Sequence, residues 1–140
     1  MNTNNPLSLV QQLYPDFEKY HRESNYNPLI QSFGEVLLQV DDNDYQGDTR
    51  VILKKDNDYG LLIFGWGSCS GCDALQACNS YKELEELRKY LEGSIRWGSA
   101  DELLTYFQTH DWEGDYSWHD RETRQFVADG IKLLSTITTA

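Results

Sequence analysis

Three cysteines, Cys69, Cys72 and Cys78, fall close together in the segment LLIFGWGSCSGCDALQAC (residues 61–78), where an apolar run meets a Gly-rich turn. Two thiols separated by two residues can grip one tetrahedral ion, and Gly71 permits the tight turn that this requires. A closed zinc site takes four ligands, so this reading joins Cys69, Cys72 and Cys78 to His119 or His110, with Asp73 as an oxygen candidate. No second paired-ligand knuckle accompanies them. A CxxC at the start of a helix has another use, because the positive end of the helix dipole favours the thiolate needed for redox chemistry. A third use is packing: small buried thiols act as compact hydrophobes that let a strand and a helix approach closely around glycines. Packing is the simplest of the three, and all three stay open. Gly65, Gly67 and Gly71 do not have the GxGxxG spacing and the chain has no GK[ST], so a phosphate cradle is not expected.

The second segment with chemical content is HDWEGDYSWHD (residues 110–120), in which carboxylates alternate with two Trp and one Tyr around Gly114. Glu113 or Asp115 with His119 could serve as acid and base, but no nucleophile or HExxH motif accompanies them. As an interface the segment is better supplied. Asp111, Trp112, Glu113, Asp115, Tyr116 and Trp118 would combine aromatic anchors with a carboxylate rim suited to a basic partner. The plain alternative is that Trp112 and Trp118 plug helix ends with the acids in water. Asp42, Asp44, Gln46 and Gly47 open like a calcium loop, but Leu53 stands where the bidentate Glu belongs, so a solvated acidic turn is expected instead. His21, beside Arg22, reads as a surface residue.

These residues need elements to position them. Pro6 suits the first turn of a helix carrying Leu9, Val10 and Leu13, and Pro15 breaks it before Phe17 and Tyr20, so residues 1–33 read as short helical pieces packed on a 35–140 body. Val36, Leu38 and Val40, then Val51 to Leu53, then Leu61 to Phe64 predict three strands joined by short turns, hence an antiparallel meander. Ile95 to Trp97 adds a short fourth strand. Ser80 with Glu83, followed by Leu84, Leu87 and Leu91, predicts a helix ending near Gly93. Ser99 with Glu102 predicts a second helix ending near His110. A last helix from about Asp120 buries Phe126, Val127, Ile131 and Leu134, with Gly130 as a weak point in its middle. The expected class is α+β, with a three- to four-stranded antiparallel meander, C-terminal helices on one face and short N-terminal helices, in a single domain over 1–140.

The chain has 140 residues with 23 acidic and 12 basic side chains, a formal net charge of -11. That is one domain's length, able to bury a core without disulfides or a metal. The charge disfavours direct nucleic-acid binding and matches a partner with a basic surface. No window is apolar enough to span a membrane and the first residues do not read as a secretory signal, so a cytoplasmic setting with reduced thiols is expected.

The strand, CxxC and helix order is similar to that of thioredoxins, but that fold places a cis-proline downstream of the cysteines, and here Pro6, Pro15 and Pro28 all precede Cys69. The run GWGSCSGCDALQAC, with YQGD at Tyr45–Asp48, YGLLIF at Tyr59–Phe64 and the following DWEGDYSWH, resembles a group of small bacterial and phage proteins that carry no assigned activity. The resemblance covers about Tyr45 to His119 and implies a bacterial, phage or mobile-element setting. The functional expectation is a nonenzymatic acidic protein-binding module without a cofactor, acting as an inhibitor of a host factor. The alternative is a zinc-binding or thiol-redox protein centred on Cys69, Cys72 and Cys78.

Overall fold

Residues 49–53 are buried at every position, which a strand with one wet face would not be. In the computed structural model, which describes residues 6–115 and 120–139, this run is the middle of strand β2 (Gly47–Lys55). It lies between β1 (Glu35–Asp41) and β3 (Asp58–Trp66), and β4 (Arg96–Gly98) completes a four-stranded antiparallel sheet in the order β1-β2-β3-β4. Helices cover both faces. Val51, Leu53, Leu62 and Phe64 meet the N-terminal segments and α4 (Tyr81–Gly93), while Ile52 and Leu61 meet α5 (Ala100–Thr109) and α7 (Asp120–Thr139). The protein is therefore an α+β fold with its sheet as the middle layer.

The register explains two details. Val36 pairs with Leu53 and Leu38 with Ile52, so Leu37 sits at a bulge, and Leu37 and Leu38 both pack against the second cluster. The tight β2–β3 connection puts Asp56 in the left-handed region at φ 56, which Asp tolerates better than most residues.

The N-terminal helices α1 (Pro6–Leu13), α2 (Phe17–Tyr20) and α3 (Asn27–Gln31) supply Val10, Phe17, Leu29 and Ile30 to the first cluster, so they complete one side of the sheet's own core. At the start of α4 the Ser80 hydroxyl accepts from the Glu83 N–H, but the Glu83 carboxylate accepts from Asn79 and not from Ser80. Gly93 is still helical and Ser94 takes the cap position. The capping box of α5 is complete, with Glu102 N–H on Ser99 Oγ at 3.1 Å and Ser99 N–H on Glu102 Oε1 at 3.0 Å. Those two Ser99 groups, the backbone N–H first, hold the Glu102 carboxyl below its usual range.

Gly130, a weak point by propensity, is a packing requirement. A Cβ there would run into Phe107 Cε2 and Cδ2 and lie 3.2 Å from Ile52 Cδ1, and the Phe107 ring is fully enclosed. Gly130→Ala would gain about 1 kcal/mol of helix propensity and lose about 1–3 kcal/mol to overpacking, so a lower urea midpoint is expected. A midpoint at or above wild type would show that Phe107 has room to move.

The Asp41–Asp48 connection departs from the solvated acidic turn expected of it. Asp42 is only 4% exposed, because its Oδ1 pairs with Arg50 Nη1 at 2.7 Å and its Oδ2 accepts the Asp48 N–H at 2.7 Å. Arg50 is fully buried, and among the described residues its Nε and Nη2 have no hydrogen-bond partner. Asp44 and Tyr45, at the tip of the same loop, are exposed as expected.

Candidate functional site: an exposed thiol pair

Strand β3 ends at Trp66, and the chain turns at Gly67 because nothing larger fits. A Cβ there would run into the Cys72 carbonyl oxygen and lie 2.7 Å from Cys72 Sγ. The turn closes with the Cys72 N–H on the Cys69 carbonyl at 3.1 Å. This brings the two sulfurs to 2.7 Å, with the Cys69 N–H donating to Cys72 Sγ at 3.0 Å. Both residues are exposed. The Cys72 thiol pKa is lowered, first by the hydrogen bond from the Cys69 side chain, then by the backbone N–H groups of Cys69 and Ser68 and by the Ser68 hydroxyl. Donors aimed at a sulfur stabilise its thiolate, the form that attacks disulfides and binds metals.

Cys78 is built differently. It is 5% exposed within the first core cluster, with its Sγ 3.4 Å from the Ala74 carbonyl. Burial first, and then the carboxylates of Glu83, Asp73 and Glu86, push its thiol up to about 11. Packing accounts for Cys78 but not for two sulfurs in solvent.

Asp73 anchors the turn. It is 4% exposed, and its Oδ1 accepts from Tyr26 Oη at 2.8 Å and from the Gly67 N–H at 3.1 Å, while its Oδ2 accepts from the Gln76 N–H at 3.0 Å. Tyr26 Oη in turn accepts the Leu75 N–H at 3.1 Å. The loop from Gly67 to Gln76 is thus tied at both ends to one carboxylate and, through it, to the N-terminal segment. Asp73 entered the sequence reading only as a spare metal ligand, and Tyr26 did not enter it.

A closed metal centre needs two donors beyond Cys69 and Cys72. Among the described residues no group of three His, Cys, Asp or Glu side chains is placed to hold an ion. Cys78 points into the core, Asp73 is committed to three donors, and His110 lies on the other side of the sheet, stacked on Tyr106 at 4.7 Å and edge-on to Trp112. His119 lies outside the described residues.

The acidic aromatic segment divides. Trp112, at the start of the short helix α6 (Trp112–Asp115), is 9% exposed, donates its Nε1–H to the Phe107 carbonyl at 2.9 Å and packs on Phe107 and Phe126. It plugs the end of α5 and does not stand out as an anchor. Asp111 and Glu113 are exposed, and Asp115 closes α6. Tyr116 and Trp118 lie outside the described residues.

The buried Cys78 thiol and two buried phenols set the alkaline limit of stability. Burial raises the phenols of Tyr14 and Tyr26 well above their ordinary range, in the same direction as Cys78. The folded state holds these protons more tightly than the unfolded chain, so the Cys78 contribution is complete below the unfolded thiol pKa of about 8.5, the phenol contributions below the unfolded phenol pKa of about 10, and each declines above it. For Cys78 the loss is complete once the pH passes about 11. The urea midpoint is expected to fall steadily above about pH 9, with a shallower fall in Cys78→Val. A wild-type midpoint flat through that window would contradict this account.

Fold and site together define an α+β domain that displays a solvent-exposed dithiol at the end of a central strand. Comparison of the chain with protein-family models, with curated proteins and with solved structures returned no match. Among the described residues no helix is long and apolar enough to cross a membrane.

Proposed function

We propose that this protein acts through Cys69 and Cys72 as a reversible dithiol–disulfide couple that exchanges with a low-molecular-weight or protein disulfide. The observation supporting this is the contact of two exposed sulfurs, one of which, Cys72 Sγ, accepts the Cys69 N–H. The Cys72 thiolate attacks one sulfur of the substrate disulfide, forming a mixed disulfide and expelling one substrate thiolate. The Cys69 thiolate then attacks Cys72 Sγ, closes the intramolecular disulfide and expels the second. Both protein thiol protons end on the two released thiols, so the substrate is reduced by two electrons and the protein oxidised by two. Zinc held by the same sulfurs is the competing use of this site.

Alkylation kinetics test the assignment. With limiting iodoacetamide at neutral pH, Cys72 is expected to react several-fold faster than Cys69, and Cys78 only on unfolding. Equal rates at Cys69 and Cys72 would overturn the assignment, and rates that rise sharply after chelator would transfer the site to metal binding.

The net charge of -11 and the exposed carboxylates Asp44, Asp111 and Glu113 favour a second reading. In it the chain is a nonenzymatic acidic binding module of bacterial, phage or mobile-element origin, working in the cytoplasm by docking on the basic surface of a host factor and inhibiting it. This reading predicts that a captured partner is released as salt rises and is retained by Cys69→Ser and Cys72→Ser variants. Capture that survives high salt, or that needs the thiols, would remove it.

A further inference from the structure

Beside the dithiol turn, and independent of its sulfurs, lies a cleft of about 410 Å³ between the N-terminal segment and the open end of the sheet. That volume suits a small ligand or a single side chain. Tyr26 and Trp66 give it aromatic wall, Asn25, Asn27 and Gln76 give it neutral amides, and no lysine, arginine or histidine lines it. The three lining carboxylates are not equivalent. Asp42 is engaged by Arg50 and the Asp48 N–H, and Asp73 by three donors. Asp41 is the exposed one. Thr49 Oγ1 donates to its Oδ1 at 2.8 Å and Gln39 Nε2 straddles both oxygens, 3.2 Å from Oδ1 and 3.4 Å from Oδ2, which fixes the carboxylate while leaving lone pairs on its exposed side for an incoming donor. Trp66 Nε1–H donates to the same Thr49 hydroxyl at 2.9 Å, so indole, hydroxyl and carboxylate form one chain along the wall.

We infer that this cleft binds a guanidinium or ammonium head group, carried either by an arginine side chain of a peptide or by a small organic cation, with Asp41 as its counter-ion and Trp66 as its aromatic wall. The chemistry favours that class on three counts. A carboxylate already held in place binds a cation with less loss of side-chain entropy than a free one does. An indole face attracts a cation electrostatically. A cleft with carboxylates and no basic residue, in a chain of net charge -11, repels phosphates and carboxylates.

The test is a ¹⁵N–¹H titration of the reduced protein with N-acetyl-arginine methylamide, beside the citrulline analogue, which keeps the shape and loses the charge. The Trp66 indole N–H, assigned through Trp66→Phe, and the Gly67 amide are expected to shift saturably with the arginine compound and to stay put with citrulline. Asp41→Asn, shown to be folded by its unchanged remote resonances, is expected to weaken binding roughly tenfold. A tripeptide Gly-Arg-Gly, with blocked ends, that binds about tenfold tighter than the amide assigns the site to a peptide, and equal affinity assigns it to a small cation. Either result upholds the inference. Equal shifts with citrulline, shifts that map elsewhere, or no saturation would overturn it. None of these outcomes bears on the dithiol, because the titration uses neither Cys69 nor Cys72.

Discussion

Asp42→Ala is expected to lower the unfolding free energy by about 3–5 kcal/mol. The substitution removes the counter-charge 2.7 Å from Arg50 Nη1 in a pair whose side chains are both fully enclosed, and it leaves the guanidinium where water cannot reach it. It also removes the side-chain acceptor of the Asp48 N–H, leaving the Asp42 N–H on the Asp48 carbonyl at 3.0 Å to close the β1–β2 loop. A loss of that size is a large part of the stability of a domain this long. The control is the double change Asp42→Leu with Arg50→Met, which removes both charges and is expected to recover most of the loss, since apolar replacements of buried pairs are often neutral or better. Urea denaturation of the three proteins measures both effects. A single variant within about 1 kcal/mol of wild type would mean that the pair does not hold the hairpin.

Asp73→Ala carries the second large effect, and it joins stability to the thiols. Three donors lose their acceptor at once: the Tyr26 hydroxyl and the N–H groups of Gly67 and Gln76. Unsatisfied groups cost about 1–3 kcal/mol each when buried, and these are partly buried, so a total near 2–4 kcal/mol is expected. Tyr26→Phe removes one of those bonds and is expected to cost about 1 kcal/mol. The two variants should also part company at the sulfurs. With Asp73 gone the Gly67–Gln76 loop keeps the Gln76 Nε2 bond to the Gly67 carbonyl at 3.2 Å and the buried Leu75 side chain but loses the carboxylate that ties its two ends, and the preference of iodoacetamide for Cys72 over Cys69 should shrink toward equality. In Tyr26→Phe the Gly67 and Gln76 bonds remain and the preference should persist. If Asp73→Ala unfolds too readily for alkylation, Asp73→Asn keeps an acceptor for one or two of the donors and gives the same comparison at lower cost. An unchanged thiol preference in folded Asp73→Ala would show that the turn is self-sufficient.

How legible these features are in the sequence follows from how local each one is. Ser99 and Glu102 cap α5 through groups three residues apart, and the β2–β3 hairpin turns at Asp56 and Asn57, so both can be read from neighbouring letters. The meander follows from the short spacing between apolar runs. The covering of both faces does not, because the run Val51–Leu53 is compatible with either a buried strand or a strand with one wet face until the N-terminal helices are placed. The CxxC is visible, whereas its anchor is not: Tyr26 and Asp73 are 47 residues apart and neither belongs to a motif. Asp42 misleads for a similar reason. A carboxylate among Asp41, Asp44 and Asp48 looks solvated, and only the fold brings the buried Arg50 against it. Trp112 shows the same ambiguity from the aromatic side, since an indole in an acidic segment can serve as an anchor or as a plug, and here its N–H is spent on the Phe107 carbonyl.

Closure of a Cys69–Cys72 disulfide is read by intact mass across a graded glutathione redox buffer, with every remaining thiol alkylated under denaturing conditions before weighing. Two states are predicted, fully reduced with three alkyl groups and oxidised with one, and peptide mapping should place that one on Cys78. Cys69→Ser should accumulate the mixed disulfide on Cys72. A protein that keeps three alkylated cysteines in the most oxidising buffer, or that gathers glutathione without closing a disulfide, would contradict the account.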